Sequence, residues 1–169
     1  MKRFFLLKIY AVFNLLRLSY FKLRYNTYRI KYNIDKTFIF NGVDIEFYGE
    51  GEIIIGKNSY IGNRSAIASV SGQKVLIGNN CSISHNVRIY TINRNPIDII
   101  NNNTEINQKK GNVSIGNNCW IGANVFINQG IHIGDNVVIG ANSVVTKSFP
   151  SNVIIAGTPA KIIKTGNLS

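Results

Sequence analysis

The sequence predicts a parallel β-solenoid, and three regularities carry that prediction. An aliphatic anchor recurs every six positions in three runs: Ile55, Ile61, Ile67; then Ile77, Ile83, Ile89; then Ile115, Ile121, Ile127, Ile133, Ile139 and Val145. Three residues after the anchors come Asn58, Arg64, Asn80, Asn86, Asn118, Asn124, Gly130, Asn136 and Asn142, of which only Arg64 is neither Asn nor Gly. Four residues after come Ser59, Ser65, Cys81, Val87, Cys119, Val125, Ile131, Val137 and Ser143, all small or β-branched. A period of six fits neither an α-helix nor a helical-hairpin repeat, but it suits a short strand, a corner and another short strand. Asn and Gly tolerate the left-handed backbone region and so mark the corner. The small residue is the second inward position of a strand whose side chains alternate. Three sides close a triangular coil of about 18 residues, and coils stack at a strand spacing of about 4.8 Å.

The chain opens on a different kind of segment, residues 1–36. Its first 25 residues, MKRFFLLKIYAVFNLLRLSYFKLRY, predict a helix that is apolar nearly all round with Lys and Arg interspersed. Net charge is +11 overall, yet residues 1–36 hold nine Lys/Arg against one Asp, so the basic character belongs to the N-terminus. The longest uncharged run, Ile9 to Leu16, is shorter than a bilayer-spanning segment. No small-residue cleavage site follows it, so a secretory signal is not expected. Two roles compete: packing on the solenoid end or on a neighbouring subunit, or peripheral contact of residues 1–25 with an anionic membrane. No recognition motif accompanies the charge, so nucleic acid is not an expected partner.

Residues 37–164 form the solenoid. Strands are predicted at Thr37–Phe40 and Val43–Phe47 around an Asn41-Gly42 turn, and Val43, Gly49 and Ile55 already keep the six-residue phase. This imperfect first coil covers the end of the core. The period then breaks twice. Four extra residues fall near Ser69–Lys74, and about twenty fall over 93–111, a polar, Asn-rich stretch that reads as an ejected loop. Residues 165–169 form a short tail. Cys81 and Cys119 both occupy the inward position, which makes them core packing residues in a reducing compartment. With only two histidines and no metal-ligand spacing, no metal is expected.

The hexads, together with Ser143-Val-Val-Thr-Lys147 and Ala156-Gly-Thr-Pro-Ala-Lys161-Ile-Ile-Lys164, resemble the hexapeptide-repeat acyltransferases. The tail is similar to that of the acetyl-CoA-dependent branch, which includes galactoside and maltose acetyltransferases. The resemblance spans residues 53–164. It implies a left-handed parallel β-helix, a handedness that general crossover rules would not favour. It also implies a cytoplasmic homotrimer with sites between subunits, acetyl-CoA as co-substrate, and a sugar hydroxyl of a surface polysaccharide or its precursor as acceptor. An N-acetyltransferase acting on an amino-sugar nucleotide and a non-catalytic β-helix scaffold are the rival readings.

Acyl transfer from a thioester needs a base for the acceptor proton and a donor for the oxyanion. His85 stands two residues after its anchor, at the position shared by Lys57, Asn63, Asn79, Asn117, Ala123, Gln129, Asp135 and Ala141. That set is mostly polar, so His85 is expected outside the core. Its phrase, Ile83-Ser-His-Asn-Val87, resembles the one around the catalytic histidine of UDP-acylglucosamine N-acyltransferases. Galactoside and maltose enzymes instead place a histidine just before a Pro, where this chain has Asn95 before Pro96. His132 is the other candidate base. The oxyanion donor is sought among the backbone amides of residues 117–123. By the same resemblance, Trp120, Ala123, Ala141, Thr146, Lys147, Lys161 and Lys164 match positions that contact CoA.

Overall fold

The computed structural model describes residues 2–166. It opens on α1 (Lys2–Lys31), which runs past the expected end near residue 25. The first coil follows at once with β1 (Asn33–Ile34), β2 (Ile39–Asn41) and β3 (Glu46–Tyr48). β2 and β3 do not pair with each other as a hairpin; they lie on successive sides of the coil. The second coil is β4 (Glu52–Ile55), β5 (Tyr60–Gly62) and β6 (Ala66–Ala68), and the third is β7 (Lys74–Ile77), β8 (Ser82–Ile83) and β9 (Arg88–Tyr90). The chain then leaves the solenoid as β10 (Ile92–Arg94), α2 (Pro96–Ile100) and β11 (Gln108–Lys110), with β10 and β11 paired antiparallel. It rejoins as β12 (Val113–Ile115), β13 (Trp120–Ile121) and β14 (Phe126–Ile127), and then β15 (His132–Ile133), β16 (Val138–Ile139) and β17 (Val144–Val145). An antiparallel pair, β18 (Val153–Gly157) and β19 (Ala160–Thr165), closes the end.

These strands form three parallel faces. Face A is β1-β4-β7-β12-β15, face C is β3-β6-β9-β14-β17, and face B carries β2, β5, β8, β13, β16 and the closing pair. The register is the hexad register: Ile55 pairs Ile77, Ile77 pairs Ile115, and Ile115 pairs Ile133. Ile61, Ile67, Ile83, Ile89, Ile121, Ile127 and Ile133 are wholly buried, as is each of Ser59, Ser65, Cys81, Val87, Val125, Val137 and Ser143. All nine predicted corner residues have φ between 55° and 74°, Arg64 included. Left-handed corners expose their amides, and these stack as ladders. Asn58, Asn80, Asn118, Asn136 and Asn152 donate one to the next along one edge, and Asn86, Asn124 and Asn142 along another.

Cys81 lies directly beneath Cys119, since Ser82 pairs Trp120. Both thiols are free and buried, and each donates to a glycine carbonyl of the next coil, Gly116 at 3.1 Å and Gly134 at 3.2 Å. Ser59 does the same to Gly78. The inward position thus holds a short donor, which accounts for Ser and Cys there.

The second half of α1 plugs the open end of the solenoid. Phe21, Tyr25 and Tyr28, spaced along one helical face, and Tyr32 just past the helix end are buried against Phe38, Ile45 and Phe47. The Tyr25 ring stacks on Phe40 at 4.5 Å and 12°. Tyr25 and Tyr32 hydroxyls donate to the carbonyls of Gly42 and Gly49, satisfying backbone that no further coil could pair.

Candidate functional site

Each corner of the solenoid takes its character from the residues just past the anchor. At the edge between faces A and B, the N–H two residues after each anchor is capped by a side-chain oxygen of the adjacent coil. Lys57 N–H donates to Asn79 Oδ1 at 2.8 Å, Asn79 to Asn117 Oδ1 at 2.9 Å, Asn117 to Asp135 Oδ1 at 2.6 Å, and Asp135 to Ser151 Oγ at 2.9 Å. The edge between faces B and C starts the same way, with Val43 N–H donating to Asn63 Oδ1 at 2.7 Å. It then departs. The capping positions become His85, Ala123 and Ala141, and the N–H groups of Asn63, His85 and Ala123 have no acceptor among the described residues. A row of outward, water-accessible backbone donors therefore runs along this edge.

His85, Ala123 and Ala141 sit on consecutive coils of that edge. Asn124 N–H donates to the His85 carbonyl at 3.0 Å, and Asn142 N–H to the Ala123 carbonyl at 2.8 Å. The edge from Ala141 to His85 is thus two coil spacings, about 10 Å. His85 is exposed, as its hexad position predicts. It lines a cleft of about 490 Å³ with Val43, Asn63, Arg64, Asn86 and Asn124. Gly62 makes room for the ring: a Cβ there would stand 2.6 Å from His85 Nδ1. Arg64 also borders a second cleft with Asp44, Glu46, Arg88 and Tyr90.

The other expected site residues fall in three places. Trp120 stands out from face B, 59% exposed, between Ser82 and Val138 on adjacent strands. Lys161 and Lys164 are exposed on β19, which extends the same face; Lys161 pairs Ala156, and Lys164 pairs Ile154. Thr146 and Lys147 are exposed at the next edge, between faces C and A, where the Lys147 ammonium lies over the Phe149 ring at 5.6 Å. The ejected loop also leaves from that edge, its neck closed by Gly111 N–H donating to the Thr91 carbonyl at 3.0 Å. A single chain therefore brings His85, Ala123 and Ala141 together and leaves Thr146 and Lys147 one face away.

His132 is on face A, with Nδ1 2.7 Å from Ser114 Oγ, away from the clefts at His85. Asn95 accepts from Ile97 N–H and caps α2. Its side chain is committed to the loop, whose centre is Asp98. That carboxylate accepts from Asn107 N–H at 2.8 Å and from the Asn103 amide at 3.1 Å, and the Asn107 N–H holds its pKa below the usual carboxylate range. Sequence reasoning missed the uncapped N–H groups, Gly62 and Arg64. The signal for the first was present: the capping position changes from Asn to Ala at 123 and 141.

The fold and the repeat have counterparts. The family described as the hexapeptide repeat of succinyl-transferase matches residues 52–90 and 112–147. The galactoside O-acetyltransferase of Escherichia coli (strain K12) is 41% identical over 120 residues, covering 71% of this chain and 57% of that one. The crystal structure of a maltose O-acetyltransferase from Clostridium difficile 630 superposes with a TM-score of 0.59 at 36% identity, covering 78% of this chain and 72% of that one. That of the polySia-specific acetyltransferase NeuO gives 0.62 at 31%, covering 78% and 60%. The chain spans a little over half the length of the first curated relatives it matches.

Proposed function

This chain belongs to the hexapeptide-repeat acyltransferase family, and from that premise we propose that it transfers an acetyl group from acetyl-CoA to a sugar hydroxyl, with His85 as general base. The observation that carries the reading is the B/C edge. There the exposed imidazole stands on the same line as two alanines and a row of uncapped N–H groups. The alanines leave a shallow track for a thin pantetheine arm, and the N–H groups offer donors to its amide carbonyls. Lys161 and Lys164 supply cations for phosphates near the end of that face.

The chemistry follows from the placement. His85 takes the proton of the acceptor hydroxyl as its oxygen attacks the thioester carbonyl. Ala123 N–H, one coil along and uncapped, donates to the oxyanion of the tetrahedral species. When that species collapses, the C–S bond breaks and the imidazolium returns the proton to the leaving CoA thiolate. No protein nucleophile is needed.

The split of the site residues between two edges supports a homotrimer: a CoA that touches both the Ala141 edge and Thr146–Lys147 must lie between two copies. A surface polysaccharide or its precursor is the acceptor we favour, in line with the polysialic acid O-acetyltransferase of Escherichia coli O1:K1, 40% identical over 113 residues.

The test is acetyl-CoA-dependent thiol release by wild type and His85→Ala against a panel of sugars, acidic polysaccharides and amino-sugar nucleotides. A loss of about 100-fold or more in the variant supports the base assignment, and the best acceptor decides between O- and N-transfer. Equal turnover by both proteins would sink it.

A further inference from the structure

The first half of α1 stands clear of the solenoid. Phe4, Leu6, Leu7, Phe13, Leu15 and Leu16 are 59–72% exposed, and residues 3–20 are all exposed except the half-buried Asn14. An apolar rod of this size does not stay in water. We propose that residues 3–20 of α1 insert into the hydrocarbon of an anionic phospholipid bilayer and anchor the solenoid to it. This reading does not depend on the acyl transfer proposed above.

Length and composition fit a bilayer. By those two measures the helix is able to cross a membrane. Arg3 to Tyr20 spans about 26 Å at the helical rise, against a hydrocarbon core of about 30 Å. The charges inside that span, Lys8 and Arg17, lie either side of the uncharged run Ile9–Leu16. Lys8 is about 7–8 Å and Arg17 about 4–5 Å along the axis from the nearer end, within snorkelling reach of the headgroups. That removes the objection the short uncharged run raised. In-plane binding is disfavoured, because the apolar side chains point all round and leave no polar stripe for water.

Charge decides between lipid and a second copy. α1 contains no acidic residue. In its docked half, Arg24 and Lys31 are paired with Glu46 and Glu50 of the solenoid. In the projecting half, Arg3, Lys8 and Arg17 have no ion pair among the described residues. Two such rods side by side would repel, whereas anionic headgroups supply the missing charge.

The full chain is mixed with vesicles of phosphatidylcholine, with and without phosphatidylglycerol, and floated on a density gradient. The expected result is co-flotation, stronger with phosphatidylglycerol, that survives high-salt and alkaline-carbonate washing. A Phe13→Trp variant should add emission that shifts to the blue and is quenched by brominated acyl chains. The triple variant Leu7→Glu, Phe13→Glu, Leu16→Glu should lose tenfold or more of the binding. Its circular dichroism should keep the β-helix signal, because the sites lie outside the solenoid. Protein that stays with the aqueous fraction, or that salt releases, overturns insertion. So does a triple variant that only breaks up a self-associated species and leaves vesicle binding unchanged.

Discussion

Asn124 N–H donates to the His85 carbonyl at 3.0 Å, and that bond fixes His85 one coil beneath Ala123. It also puts the Ala123 N–H on the same outward edge, where Ala141 cannot cap it. Ala141→Asn supplies the missing side-chain carbonyl in a position where Asn79 and Asn117 already show the geometry. The variant should fold with an unchanged or raised melting midpoint, since one hydrogen bond is gained. Its transfer rate should fall about 100-fold, the usual consequence of losing an oxyanion donor. Thermal unfolding and kcat measured together check this; a raised midpoint with unchanged kcat would show that the N–H has no part in the reaction.

Gly62 holds space rather than a turn. A Cβ there meets His85 Nδ1 at 2.6 Å and the Ser84 carbonyl carbon at 2.9 Å. Gly62→Ala should push the imidazole off its seat and lower kcat/KM by at least tenfold. A crystal structure of the variant with the ring unmoved would refute the seat.

The solenoid was legible because a strict period leaves little choice. Each anchor, corner and inward residue named from the hexads occupies its predicted place, including Arg64 at a corner where Asn is the rule. Two things were not legible. The order of residues along one edge needs the stacking register across the ejected loop, which the pairings of Ile77 with Ile115, Ser82 with Trp120 and Arg88 with Phe126 supply. The helix end was hidden because Tyr25, Tyr28 and Tyr32 read equally well as strand residues, and their burial depends on Phe38, Phe40 and Phe47 waiting at the solenoid end. The candidate site was half visible: the outward placement of His85 and the alanines followed from hexad position, but the uncapped amides are a property of backbone geometry.

Arg64 is the one corner residue in the repeat that is strained by type. Its φ of 58° suits Asn or Gly, and it stands one coil before the ladder that Asn86, Asn124 and Asn142 form along the same edge. Arg64→Asn should raise stability by about 1 kcal/mol. A strained corner residue that lines the cleft beside His85 points to work there. The KM for the acceptor should therefore rise while kcat changes little. A stabilised variant with unaltered KM would show that the arginine serves only the fold.

The loop tip depends on one carboxylate. Asp98 accepts from Asn107 N–H and the Asn103 amide, which ties the start of the loop to its return strand. The folded pKa is depressed, chiefly by the Asn107 N–H. The order it confers is therefore fully present above the unfolded carboxylate pKa, about 4, and is lost as pH falls through the lower folded value. Asp98→Ala should remove that order at every pH, while the solenoid, held by its isoleucine core, keeps its melting midpoint. Limited proteolysis at neutral pH is the direct assay. Cleavage within residues 95–107 should speed up at least tenfold in the variant, leaving a protease-resistant β-helix. Equal cleavage rates in the two proteins would mean that α2 and the β10–β11 pairing hold the tip without the carboxylate.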